Sequence, residues 1–360
     1  MPQSVLFFAD KLWPNIGGME THAEYFIKYF RESQNFPLTG VVTFNEHQIP
    51  IIKYEEIERP FDFNCKLLET ASIVFHNSGK WICDMEQLKK RAPNALHVYR
   101  TGGNEIIKAE LPLPSPENHK ERQSKWVDII NANINLMITN SVFTEKRLRD
   151  QGIKIPFLYT PGGVAPVTHH AQIKDNKVIK LFCAARFVPY KNHRLLIQVV
   201  ELLLKAGINL ELKLAGDGPL LEECIELTKQ IDNINPFIFL GKISNEQVIE
   251  EIQKSDYYIQ FSTDLVTEVR GGSYIHTEGM GRSILEAISN GVFVIALEAG
   301  ALTEFITPNR GILIPYGPAY EIAEKLIPVL RNKPSKLKPT NEYSWDNVFK
   351  KYTNYWLNGN

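Results

Sequence analysis

The residues with the clearest chemical potential lie in GGSYIHTEGMGRSILEAISNG, residues 271–291. Glu278 and Glu286 are separated by seven residues, and Gly279, Met280, Gly281 and Arg282 follow the first of them. Ile284, Leu285 and Ile288 recur at helical spacing. The pattern predicts a polar, glycine-rich loop over 271–281 and a short helix over about 282–290, stopped by Gly291. A helix start presents unpaired N–H groups and the positive end of the dipole, and glycines let a ligand approach that backbone. The backbone around Met280, Gly281 and Arg282 is therefore expected to bind a diphosphate. A glutamate does not bind an anion, so Glu278 and Glu286 need another partner. A carboxylate is a good acceptor for paired hydroxyls, as on a ribose or a hexose. A phosphate-binding turn between two hydroxyl acceptors predicts a nucleotide sugar.

The elements that must position this unit alternate along the chain. After Gly291, VFVIAL is a continuous apolar run, suited to a strand buried on both faces. Strands are predicted over 4–10, 38–44, 71–77, 95–105, 135–141 and 155–164, with helices between most of them. A polar stretch to about Glu69 and a proline-rich loop over 111–120 interrupt the pattern. The second half restarts it, with strands over 178–187, 209–219, 256–262 and 311–317 and helices over 193–207 and 344–357. Such alternation predicts an α/β protein with largely parallel sheets, built as two Rossmann-like units. The expected division is 1–165, a polar linker at 166–177, 178–343, and a last helix at 344–360. Trp345, Phe349, Tyr352 and Trp356 mark that helix's apolar face.

Composition excludes several function classes. A length of 360 residues suggests two domains, and 44% hydrophobic with 22% charged residues is ordinary for a globular enzyme. A net charge of −1, spread along the chain, points away from nucleic acid and from a polybasic membrane anchor. No apolar run reaches the length of a membrane span, and MPQSVLFFAD reads as a first strand rather than a signal peptide. Cys65, Cys83, Cys183 and Cys224 lack zinc-ligand spacing and read as small buried apolar residues in a reducing, cytoplasmic setting. His169 and His170 read as solvated linker rather than a metal site. GDGP at Gly216 lacks the third glycine of a dinucleotide fingerprint.

Glu278-x7-Glu286, in EGMGRSILEAISNGVFVIA, resembles the E-x7-E motif of retaining glycosyltransferases of the GT-B fold, above all glycosyltransferase family 4 (group 1). The resemblance is clearest over 178–316 and thins toward the N-terminus. It implies two Rossmann-like domains facing each other across a cleft. The nucleotide-sugar donor, most often a UDP-sugar, would sit on the C-terminal domain and a glycan or lipid-linked acceptor on the N-terminal one. The last helix would cross back to the N-terminal domain. Arg186 and Lys191 match the family's R-x4-K pattern, whose cations hold the donor phosphates and stabilise the leaving group. Glu286 would accept the ribose hydroxyls and Glu278 those of the transferred sugar; Gly216 would lie near the base. Glu304 matches a family glutamate of less definite role.

In the N-terminal half, the resemblance places a glycine loop at Gly17 and Gly18, facing donor phosphates and acceptor. His76, Arg100, Gly102, Gly103 and Asn104 are the acceptor-side candidates. Many family members carry a histidine at the end of the HVYRT strand; here Arg100 and Thr101 stand there. No Asp-x-Asp triplet occurs, which fits a metal-independent reaction with no resident cofactor. By family frequency the resemblance implies bacterial surface-polysaccharide synthesis, at or near the inner face of the membrane, as the expected process. Two rivals remain: a GT-B nucleotide-sugar epimerase, and a non-catalytic partner subunit. The E-x7-E string argues against the first. The second would be expected to have lost Arg186, Lys191 or Glu286.

Overall fold

A computed structural model describes residues 2–12, 17–54, 57–109, 117–167, 178–231, 236–332 and 337–359. Eight strands of the first half are β1 Val5–Phe8, β2 Leu38–Phe44, β3 Pro50–Tyr54, β4 Ile57–Pro60, β5 Ile73–His76, β6 Leu96–Arg100, β7 Leu136–Thr139 and β8 Phe157–Tyr159. They form one sheet in the order β4-β3-β2-β1-β5-β6-β7-β8. From β2 to β8 neighbouring strands are parallel. VLFF, IVFH and LMIT are buried along their whole length, as central strands of a sheet covered on both faces should be.

The second half contributes β9 Ile179–Ala184, β10 Leu210–Ala215, β11 Phe237–Gly241, β12 Tyr257–Gln260, β13 Leu265–Val269, β14 Gly272–His276, β15 Phe293–Leu297 and β16 Gly311–Ile314. Six of these make a parallel sheet in the order β11-β10-β9-β12-β15-β16. Its core takes Leu181, Leu212, Ile259 and Ile295 from the strands and Leu196, Val199, Val200 and Leu326 from helices.

Three features depart from the sequence reading. The polar stretch after residue 44 contains β3 and β4, which extend the sheet antiparallel. Ile51 and Ile52 are buried, while β4 is wholly exposed and ends in Pro60, as suits an edge strand. Much of the expected loop 271–281 is instead the second strand of a hairpin, β13–β14. LVTEV alternates in burial, and Arg270-Gly271, with Gly271 at φ +82°, forms the two-residue turn. The helix His119–Asn133 begins inside the expected proline-rich loop. Asn118 accepts from the Glu121 N–H, and the Glu121 carboxylate accepts from the Asn118 N–H, closing a capping box.

Packing divides the chain into two units. The first holds 1–163, 266–275 and 345–360, and the second holds 164–265 and 276–344. The hairpin residues 266–275, expected in the second domain, thus belong to the first. Tyr274 is buried among Met85, Tyr99, Ile106 and Trp126, and the His119 N–H donates to the Arg270 carbonyl at 3.0 Å. The last helix, Trp345–Asn358, also belongs to the first unit. Trp345, Phe349, Tyr352 and Trp356 join Phe7, Phe26, Phe30 and Phe75 in one core. Cys183 and Cys224 are buried, whereas Cys65 is half-buried and Cys83 exposed, on the short turn Gly79–Asp84. His169 and His170 lie outside the described residues, as does most of the expected linker. Among the described residues no helix is long and apolar enough to cross a membrane.

Candidate active site

In the six-stranded sheet the chain runs outward in one direction from β9 to β11, then returns to β12 on the other side of β9. The loops after β9 and β12 therefore diverge at their carboxyl ends, which is where open α/β sheets leave room for a ligand. Lys191 follows β9, on a short turn, Pro189–Lys191, ahead of the helix His193–Lys205. Gln260 ends β12, and Ser262 follows it. Glu278 comes from the stretch between β14 and the helix Arg282–Ser289. The fold joins all four.

The Lys191 ammonium pairs with Glu278 Oε2, and both side chains are only 11% exposed. Ser262 Oγ donates to the same Oε2 at 3.0 Å and Gln260 Nε2 at 3.1 Å. Glu278 Oε1 receives none of these bonds. Burial works against charge on both partners. Their mutual attraction, with Ser262 helping Glu278, outweighs it: Lys191 is raised above the ordinary lysine value and Glu278 lowered below the ordinary carboxylate value. The pair is ionic at neutral pH. Gln260, Ser262 and the stacked Tyr190–His276 pair, with centroids 4.1 Å apart, carried no signal in the sequence. Gln260 and Ser262 are common residue types that only the fold brings to Glu278, and only the fold stacks Tyr190, beside Lys191, on His276.

Arg186 is exposed on the loop after β9, and no carboxylate among the described residues forms an ion pair with it. Gly216 holds that loop. A Cβ at 216 would stand 2.1 Å from the Ala185 carbonyl oxygen, and the Phe187 N–H donates to the Asp217 carbonyl at 2.9 Å. The glycine is thus demanded by backbone packing beside Arg186. Gly281 is the N-cap of Arg282–Ser289 at φ +76°, a conformation costly for any other residue type. No side chain caps this helix start. Met280 is buried beside it, Gly279 precedes it, and Arg282 Nη1 is buried without a partner.

Glu286, one residue in the E-x7-E pattern, is 3% exposed and deeper than Glu278. Its Oε1 accepts from Asn245 Nδ2 at 2.9 Å and lies 3.6 Å from Arg282 Nε. Burial raises its carboxyl above the ordinary value, and Arg282 and Asn245 only partly offset that. Glu304 lies on a short helix, Leu302–Phe305, in the second unit.

In the first unit the same topological break falls between β1 and β5. Gly17 is the N-cap of the helix Gly18–Arg31 that follows β1, with extended backbone, and a Cβ at Gly18 would meet open space. Neither glycine is required by a left-handed backbone. Asn77, after β5, donates to the Met19 carbonyl at 3.0 Å. Arg100, at the end of β6, lies 92% buried beside Met19. Gly102 and Asn104 donate their backbone N–H groups to the Glu105 carboxylate, at 2.6 and 3.2 Å, and Gly103 donates to Thr101 Oγ1 at 2.9 Å. The turn that the sequence offered to an acceptor is therefore already capped from within. His76 is fully buried, stacked on Phe8 and 3.5 Å from His97, with burial holding its imidazole neutral. Its surroundings are those of a core histidine.

This geometry can be set beside known proteins. Residues 167–344 match the family model described as Glycosyl transferases group 1. That span takes in β9 to β16 and therefore the Lys191–Glu278 cluster and Glu286. Protein CapJ of Staphylococcus aureus is 33% identical over 132 residues, 36% of this chain and 30% of that protein. A GDP-mannose-dependent monoacylated alpha-(1-6)-phosphatidylinositol monomannoside mannosyltransferase of Corynebacterium glutamicum is 25% identical over 255 residues. That match takes in 67% of this chain and 62% of that protein. The chain thus spans less than two thirds of either relative. Among solved structures, Anabaena HepE in complex with UDP and glucose superposes with a TM-score of 0.68 at 16% identity, covering 98% of this chain and 99% of that one. The lipopolysaccharide outer core galactosyltransferase WaaB gives 0.68 at 15%, covering 99% and 100%. The fold is GT-B: two Rossmann-like α/β units with parallel sheets.

Proposed function

We propose that the protein is a group 1, family 4 glycosyltransferase that moves a sugar from a nucleotide-sugar donor to a glycan or lipid-linked acceptor, with retention at the anomeric carbon. The observation that carries this reading is Glu278, held by Lys191, Ser262 and Gln260 through one oxygen, with Oε1 left for a ligand hydroxyl. It stands three residues before Gly281, the N-cap of an uncapped helix, and both lie in the span that matches the group 1 model. In this reading the helix start, the unpartnered Arg282 Nη1, Arg186 and Lys191 face the donor diphosphate. Glu286 accepts the ribose hydroxyls.

The bond from the anomeric carbon to the phosphate oxygen breaks, and a bond from the acceptor oxygen to that carbon forms on the same face. The acceptor proton passes to the departing diphosphate, whose growing charge Arg186 and Lys191 meet. The scheme needs no resident cofactor or metal. We extend it to surface-polysaccharide synthesis beside a membrane, with UDP as the first nucleotide to test and GDP as its pair.

The test is thermal stabilisation by UDP, GDP, ADP and CMP in EDTA, on wild type and Glu286→Gln, followed by anomeric analysis of product from the matching donor. Support is a shift from one nucleotide that falls at least about tenfold in apparent affinity in the variant, since a charged hydrogen bond contributes about 1.5–3 kcal/mol. No shift from any nucleotide at millimolar concentration would remove the donor site. An inverted product would remove retention alone.

A further inference from the structure

Arg100, in the first unit, is a buried cation that forms no ion pair among the described residues. Arg100 Nη1 donates to the Met19 thioether at 3.0 Å, a weak acceptor, and the guanidinium lies close enough to His22 and Tyr352 to perturb both. Burial and Arg100 hold His22 neutral. Burial likewise raises the Tyr352 phenol, so it stays protonated. His22 Nε2 and the Tyr352 hydroxyl satisfy each other at 3.1 Å. No carboxylate among the described residues forms an ion pair with Arg100. Glu105 is occupied by Tyr99 and the Gly102–Asn104 turn, and Glu20, the acid of the first helical turn, folds back toward Gly17. A buried guanidinium that forms no ion pair is costly, and groups held at such a cost cluster at functional sites.

Met19 has a second face. It lines a cleft of about 810 Å³ together with Asp10, Lys11, Lys80, Glu105 and Trp126. These residues come from the carboxyl-terminal side of β1, β5 and β6 and from the helix His119–Asn133. One flexible thioether therefore separates the guanidinium from a cleft large enough for a saccharide. Beside it the helix Gly18–Arg31 begins with no side-chain cap, and the space at Gly18 is open.

We propose that this cleft binds the acceptor through an acidic group, a carboxylate or phosphate carried next to the accepting sugar, and that Arg100 grips it once Met19 moves aside. Arg suits this task because its planar fork meets two oxygens of either group. Lys11 and Lys80 at the cleft wall are matched by Asp10 and Glu105, so preference for an anion falls to Arg100. The assignment of this anion to an acceptor rests on the glycosyltransferase reading; the anion site itself does not.

The test uses the full chain with four probes: methyl glucuronoside, methyl glucoside, glucose 6-phosphate and UDP. Binding is followed by thermal shift and calorimetry on wild type, Arg100→Gln, Arg100→Lys and Met19→Leu. The expected result is binding of one or both acidic probes, little from the neutral glucoside, and at least a tenfold loss in Arg100→Gln with the UDP response unchanged. Arg100→Lys should recover part of the loss. The two acidic probes separate a uronic acid from a phosphate source. Without ligand, Arg100→Gln should melt at or above the wild-type temperature, because it removes a buried unpaired charge, and Met19→Leu should enlarge the shift from the acidic probe. Equal binding of acidic and neutral sugars would overturn the proposal. So would a strong drop in the ligand-free melting temperature of Arg100→Gln, which would make the residue structural. Loss of the UDP response in Arg100→Gln would also overturn it, by giving Arg100 to the donor. If no nucleotide binds while the acidic probe still needs Arg100, the glycosyltransferase reading fails and the anion site stands.

Discussion

Glu278 and Glu286 share a motif, but the fold gives them opposite electrostatics. Glu278 is lowered by Lys191 and Ser262 against the opposing effect of burial; Glu286 is raised by burial that Arg282 and Asn245 only partly offset. The lowered group contributes stability above the ordinary carboxylate range and loses it as pH falls through its folded value. Lys191, being raised, contributes below the ordinary lysine value and loses it as pH rises through its folded value. Glu278→Gln should therefore destabilise the protein near neutrality by about 3–5 kcal/mol, the cost of breaking a buried pair. The gap to wild type should close below the ordinary carboxylate range, as read from melting temperature against pH. For Glu286 the sign reverses. Its raised value means that ionisation costs stability as pH rises through the folded value, so ligand-free Glu286→Gln should melt at or above wild type at pH 7 while nucleotide affinity falls. A lower melting temperature would mean that the carboxylate is there for packing. The spacing of the two glutamates was legible in the sequence. Their depths were not, because depth depends on Asn245 and Lys191, 41 and 87 residues away.

Elements followed their local signals where those signals were complete. The helix Arg282–Ser289 and the last helix Trp345–Asn358 lie close to where apolar spacing put them. The hairpin β13–β14 has a local signal in the alternation of LVTEV and the Arg270-Gly271 turn, but the glycines from 271 to 281 favour a loop over the same residues. The capping box at Asn118 and Glu121 shows in the sequence as N-x-x-E ahead of an apolar run, but the prolines just before it favour a loop there. Asn118→Ala should cost about 1 kcal/mol of first-unit stability, the usual loss for such a cap, measured by denaturant unfolding. A loss below about 0.3 kcal/mol would mean that the packing of Trp126 and Tyr274, rather than the cap, fixes that helix.

At the scale of the whole molecule, sequence order and structural unit do not coincide. The first unit is built from 1–163, a hairpin taken from the second half, and the C-terminal residues 345–360. Trp345, Phe349, Tyr352 and Trp356 are all at or below 6% exposure in the first unit's aromatic core. Each such side chain lost from a core costs about 3–5 kcal/mol, and a domain's entire margin is about 5–15 kcal/mol. A chain ending at residue 344 should therefore lose the first unit's unfolding transition while a nucleotide still raises the melting temperature of the second. Scanning calorimetry with and without nucleotide reads both. An intact first-unit transition in that truncation would show that the helix adds little to its core.

The sequence by itself determined the α/β class, the restart of the pattern near residue 178, and the motif to which the donor chemistry is assigned under the proposed function. These rest on periodicity, turn chemistry and helix-end electrostatics, all of which act over a few neighbouring residues. Tertiary structure alone decided that 266–275 packs with the first half, that His76 is a core residue, and that Arg100 is buried with no ion pair among the described residues. Each of those depends on which distant side chains share a low-dielectric space, and chain-local patterns carry no measure of that.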